Sequence, residues 1–181
     1  MKDNNETNPN YTYKKLESFE ELENAYKLCF YTFLECTEFF KYESNDESSL
    51  NLFKVLSMNY HKEHNTTVLG SFYNNELIGM IEINNCYINY LAVKSKYQHL
   101  GIGHKLFMEA TKDKDEKTQI FVYADKFAIN TYKSWGFTPV DNEDSKICKM
   151  IYFISKSKDE DKSLKKVKTT NLKSYEENIW R

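Results

Sequence analysis

Residues 90–106 read Tyr90-Leu91-Ala92-Val93-Lys94-Ser95-Lys96-Tyr97-Gln98-His99-Leu100-Gly101-Ile102-Gly103-His104-Lys105-Leu106. An apolar strand runs into a polar turn, and glycines then open a segment whose apolar residues Ile102, Leu106, Phe107 and Ala110 recur at helical spacing. The first turn of a helix carries unpaired N–H groups and a partial positive charge, so it can hold a pyrophosphate without a basic side chain. Glycine lets phosphates come close to the main chain. Two other phosphate motifs fit less well. A nucleotide P-loop needs Gly-Lys followed by Ser or Thr, whereas Gly103 is followed by His104, Lys105 and Leu106. A dinucleotide fingerprint needs a third glycine where Leu106 stands, together with an early strand-helix-strand unit. Taken alone, Gly-x-Gly reads first as a plain capping turn.

Working outward, three extended runs at 68–73, 76–83 and 86–93 are separated by Asn74-Asn75 and Asn84-Asn85. Asn tolerates the positive backbone angles of tight turns, so the runs predict three antiparallel strands. Further upstream, residues 11–15 predict a short strand, and Ser18 with Glu21 three residues later is a capping box for a helix carrying Leu22, Ala25, Tyr26, Cys29, Phe33 and Leu34. The polar stretch 42–49 reads as a loop, and Leu52, Phe53, Val55, Leu56 and Met58 predict a second helix ahead of the polar run 61–66. Downstream come a strand at 119–123, a helix over 125–135 with Asp125 as N-cap and Gly136 as its terminal glycine, and a closing strand pair at 137–140 and 147–154. The pattern predicts an α/β fold with a mixed, mostly antiparallel central sheet flanked by helices. Residues 1–10 form a polar N-terminal extension, 11–154 one domain, and 155–181 a charged tail, mobile or a lone exposed helix.

Composition narrows the function. A chain of 181 residues suits one domain, and 40% hydrophobic with 15% aromatic residues describes an ordered globular protein. A net charge of −2 offers no general attraction for nucleic acid. The start lacks an apolar stretch and no membrane span follows, so no membrane association is expected. Cys29, Cys36, Cys86 and Cys148 are scattered, which favours reduced thiols in a cytoplasmic protein over a disulfide framework. His61 and His64 are too isolated to suggest a metal site.

Gln98-x-x-Gly101-x-Gly103 after a strand ending in Leu91-Ala92-Val93 resembles the Q/R-x-x-G-x-G/A signature of the GCN5-related N-acetyltransferases, the GNAT superfamily. Asp125-Lys126-Phe127-Ala128-Ile129-Asn130-Thr131-Tyr132-Lys133-Ser134-Trp135-Gly136-Phe137 is similar to that family's N-x-x-A-x-x-x-Y-x-x-x-G-F pattern, and the element order agrees over 11–154. The resemblance implies an acetyltransferase fold with acetyl-CoA as acyl donor. It implies that main-chain groups of Leu91, Ala92 and Val93 hold the pantetheine arm, the Leu91 amide facing the thioester oxygen. It places the pyrophosphate at the turn of Gln98, His99, Leu100, Gly101, Ile102, Gly103 and His104.

Tyr132 falls on the family's tyrosine, whose phenol donates to the departing thiolate. Asp125 stands where the family usually has Asn and reads either as a cofactor contact or as an N-cap. An ionised Asp accepts hydrogen bonds but cannot donate them.

Neutralising a lysine-like amine of pKa about 10.4 at pH 7 costs about 4.6 kcal/mol, so a base or a desolvating pocket is needed. Tyr87 occupies a position where some members carry Glu or His. If Asn84-Asn85 is a two-residue turn, Glu82 stands across from Tyr87 and either replaces that base or is an ordinary strand carboxylate. Tyr31, Glu35, Phe39 and Phe40 lie where family members shape the acceptor pocket, or are core residues. The expected activity is transfer of an acyl group, acetyl first, to the amine of a small molecule or protein, with no metal and by a monomer or homodimer. The alternative is an acyl-CoA-binding sensor without turnover.

Overall fold

A computed structural model of the chain describes residues 10–36, 46–143 and 145–155. The expectations for the N-terminal extension, for Phe39 and Phe40 and for the charged tail fall outside the described residues, apart from Asn10 and Ser155.

Strand β1 (Thr12–Lys15) leads into helix α1 (Phe19–Cys36). The capping box forms in both directions: Glu21 N–H donates to Ser18 Oγ at 3.2 Å, and Ser18 N–H donates to Glu21 Oε2 at 3.1 Å. Helix α2 (Glu47–His64) starts earlier and ends later than its apolar run suggests. Asp46 accepts the Ser49 N–H at 2.7 Å and so caps a helix inside the expected loop. At the other end Asn65 adopts φ 48° and closes the helix, so the polar residues up to His64 form its last turn.

Strands β2 (Thr67–Tyr73), β3 (Glu76–Asn84) and β4 (Tyr87–Val93) follow as antiparallel hairpins. In the first turn Asn74 and Asn75 have φ 48° and 64°, as tight hairpins need. The second turn lies at Asn85-Cys86, one residue beyond its expected place, so that Asn84 pairs with Tyr87. Ile83 then pairs with Ile88 but Glu82 with Tyr90, which makes Asn89 the extra residue of a β-bulge.

Helix α3 (Ile102–Thr111), strand β5 (Gln119–Asp125), helix α4 (Ile129–Ser134) and strands β6 (Thr138–Pro139) and β7 (Ile147–Phe153) complete the elements of the described residues. The expected helix over 125–135 is shorter. Asp125 remains in β5 and its Oδ1 accepts the Phe127 N–H at 2.9 Å, so it closes a turn ahead of α4 and does not cap it. Gly136, at φ 96°, follows the helix end as its spacing predicts.

The seven strands form one mixed sheet in the order β1-β2-β3-β4-β5-β7-β6, in which only β4 and β5 are parallel. Alternation along β3 divides the core. Met80 joins Val68 and Ala92 beneath α1, while Ile81 and Ile83 join Ile102, Leu106 and Phe107 of α3 on the other face. Among the described residues no helix is long and apolar enough to cross a membrane.

Candidate active site

Strands β4 and β5 pair only at Tyr87 with Phe121 and Ile88 with Val122. Beyond the Asn89 bulge β4 keeps its pairing to β3, so the stretch Leu91 to Val93 leaves β5 and the two strands open into a cleft. A cavity of about 1000 Å³ fills that opening. Leu91, Ala92 and Val93 line one wall, Val122, Ala124 and Asp125 the other, and the turn before α3 its end.

Local bonds set the shape of that turn. Gln98 Nε2 donates to the carbonyl of Val93 at 2.9 Å and fastens the turn to the end of β4. Gly101 has φ 78°, and a Cβ built on it would meet nothing within 4 Å, so the space over the turn is open. The first bond into α3 runs from Lys105 N–H to Gly101 O at 3.0 Å, which leaves the amides of Ile102, Gly103 and His104 without an intrahelical acceptor. A Cβ on Gly103 would lie 3.3 Å from the Trp135 ring, and His104 stacks on the same indole at 5.3 Å. Trp135 of the segment after α4 therefore braces the turn, a role that its place within the second motif could have suggested. His99, Gly101, Ile102, Gly103 and His104 all line the cavity, whereas Leu100 is exposed and stands apart from it.

Tyr132 also lines the cavity. Its ring meets Trp135 and Phe137 edge-on, each at 5.2 Å. Burial raises its phenol well above the ordinary value, so it stays protonated and can donate.

Glu82 occupies a different place from the one expected. The shifted turn and the bulge pair it with Tyr90 in place of Tyr87, and its side chain lies fully buried and does not line the cavity. Tyr87 stacks on Phe121 at 5.2 Å. Thr66 donates to Glu82 Oε1 at 2.5 Å, while Oε2 has no partner among the described residues. Burial pushes the carboxyl up to about 6, against the opposing influence of Thr66, Tyr26, Asn89 and the charge of His64.

A stability test follows from this shift. A carboxyl at about 6 in the folded state and 4.5 otherwise binds its proton more tightly when folded. Its stabilising contribution is complete below pH 4.5 and is lost as pH rises through about 6. Relative to Glu82→Gln, the wild type should lose about 2 kcal/mol between those limits and then level off, as urea unfolding over a pH series would show.

The inner end of the cavity is lined by Thr32 and Phe33 of α1 and by Asn89 and Tyr90 of β4. The sequence pattern did not single these out, although Asn89 is the polar interruption that marks the bulge. Tyr31 and Glu35 line a second cleft beside Lys94 and Ser95, and Glu35 Oε2 accepts from Ser95 Oγ at 2.5 Å, joining the end of α1 to the turn after β4. Cys29, Cys86 and Cys148 are free thiols. Among the described residues no group of His, Cys, Asp and Glu is arranged to hold a metal ion.

Comparison with known proteins identifies the domain and its fold. The model of the acetyltransferase (GNAT) domain family matches residues 9–147. Among solved structures, the PaiA N-acetyltransferase of Thermoplasma acidophilum in complex with coenzyme A is 22% identical, with TM-score 0.59 over 80% of this chain and 99% of that one. PH1933 of Pyrococcus horikoshii OT3 gives TM-score 0.61 at 15% identity over 81% and 99% of the two chains. The histone acetyltransferase HPA2 and related acetyltransferase of Corynebacterium glutamicum gives 0.61 at 14% identity over 82% and 98%. These likenesses concern the fold. No curated protein sequence matches the chain.

Proposed function

Because the chain belongs to the GNAT acetyltransferase family, we propose that it transfers an acyl group, acetyl first, from acyl-CoA to an amine of a small molecule or protein. The observation that supports this best is the opening of β4 away from β5 onto the same cavity as the start of α3, whose first amides have no intrahelical acceptor. The residues present suit the donor. An apolar slot with one free strand edge matches a pantetheine arm, and open space over Gly101 beside main-chain donors matches a pyrophosphate.

When bound, acetyl-CoA supplies an activated thioester. The main chain of Leu91 and Val93 offers the arm a strand-like edge, and the Leu91 amide offers the thioester oxygen a donor. Tyr132, kept protonated by burial, holds a proton for the leaving sulfur. Glu82 is the proton acceptor for the amine, acting from behind Asn89 and Tyr90 through a bridging water. Free thiols at Cys29, Cys86 and Cys148 support a cytoplasmic setting.

The test is release of free CoA thiol from acetyl-CoA with a panel of spermidine, L-lysine, an aminoglycoside and a lysine-bearing peptide. Amine-dependent release above the no-amine rate is expected with at least one of them. Tight acetyl-CoA binding with no amine-dependent release would favour the sensor reading.

A further inference from the structure

The turn that ends α2 brings two of its neighbours onto Glu82. Asn65 takes a left-handed conformation, and Thr66 N–H donates back to the His61 carbonyl at 3.3 Å. The turn folds the Thr66 side chain beneath the helix, where it is 4% exposed. Its hydroxyl then lies 2.7 Å from His61 Nδ1 on one side and 2.5 Å from Glu82 Oε1 on the other. His61 is only partly buried and sits in the last turn of α2. On the inner side, Glu82 Oε2, Asn89 Nδ2 and Tyr26 Oη are buried without partners among the described residues. Asn89 lines the cavity. Glu82, Thr66 and His61 therefore form a hydrogen-bonded row from the buried carboxyl to the outer end of α2, and Asn89, which acts on that carboxyl, lines the cavity.

We propose that Glu82, Thr66 and His61 form a relay that carries the proton of the acceptor amine from the active-site cavity to solvent. This rests on the acyl-transfer reading above. Through the bridging water, the ammonium gives up a proton to the Glu82 carboxylate, leaving a neutral amine and a carboxylic acid. With the neutral His61 ring carrying its proton on Nε2, Thr66 turns its hydroxyl towards the bare Nδ1, and the carboxyl proton passes to Thr66 Oγ1 as the Thr66 proton moves to Nδ1. The resulting imidazolium releases its Nε2 proton to water. The net change is one proton from ammonium to water, with no group oxidised or reduced.

The surroundings suit each step. Tyr26 and Cys29 of α1 and Tyr90 of β4 face the carboxylate; burial, together with its charge, raises all three so that they stay protonated beside it. His64 of α2 contributes the favourable charge named above. Burial and then the nearby Lys15 of β1 hold His61 below its ordinary value, which keeps the ring neutral and ready to take a proton.

The test measures acetyl-CoA turnover on the panel amine that wild type uses best, between about pH 5.5 and 8. Thr66→Val keeps the side-chain shape but removes the hydroxyl, and should lower kcat about 10-fold with KM for acetyl-CoA unchanged. Thr66→Ser should restore it. His61→Gln should lose a similar amount and regain it on addition of imidazole, which wild type should not need. Should Thr66→Val fail to fold, the His61→Gln arm decides the matter alone. Folded Thr66→Val and His61→Gln proteins with wild-type kcat across the pH range would overturn the relay while leaving acyl transfer intact. A wild type that releases no thiol with any amine would overturn the acyl-transfer reading, and the relay with it.

Discussion

Gly103→Glu is expected to weaken acetyl-CoA binding by at least about 100-fold, about 2.7 kcal/mol, while Gly103→Ala retains most of it. The Gly103 amide is one of three at the start of α3 without an intrahelical acceptor, and the residue lines the cavity. A carboxylate there would turn a site that favours anions into one that repels them. The alanine variant is needed because any Cβ at this position approaches Trp135 to 3.3 Å, so some loss will come from packing alone. A large difference between the two variants, measured by calorimetry on folded proteins, isolates the charge. Equal losses would mean that Gly103 matters only for the indole.

Tyr132→Phe is expected to lower kcat about 10- to 100-fold with little change in acetyl-CoA affinity. Phenylalanine keeps both edge-on contacts, to Trp135 and Phe137, so the fold should tolerate it. On the proposed mechanism, what is lost is a single proton held for the leaving sulfur. The effect is moderate because a thiol of pKa about 8.5 is already a fair leaving group. The raised phenol pKa adds a second signature: the wild-type rate should show no decline from loss of this proton below about pH 10. A reduced affinity with unchanged kcat would recast Tyr132 as a wall of the cofactor slot.

The fold was legible wherever side-chain pattern and backbone demand coincide. The capping box at Ser18, the turn at Asn74-Asn75 and the glycines around α3 each state a local geometry that tertiary packing then keeps. Register was less legible. Asn84-Asn85 looks like a turn by composition, but the Asn85-Cys86 turn and the Asn89 bulge together move Glu82 from Tyr87 to Tyr90. Asn89 interrupts the apolar run of β4, but a single polar residue there does not fix which strand gains the extra residue or how far the register moves. Asp125 misled for a related reason. A side chain able to cap a helix can also close a turn, and only the distance to Ile129 separates the two. The strand-turn-helix that carries the cofactor expectation kept its place, since it is local. The buried cluster around Glu82 needed α1, α2, β3 and β4 together, with Thr66 reaching a carboxylate sixteen residues on.

The most direct measurement is a titration of isotope-labelled protein with coenzyme A, followed by amide resonances. Saturable shifts are predicted at Leu91 and Val93 on the free edge of β4, and at Ile102, Gly103 and His104 at the start of α3. Coenzyme A that binds without moving these amides, or that does not bind at all, would contradict the assignment of the cleft.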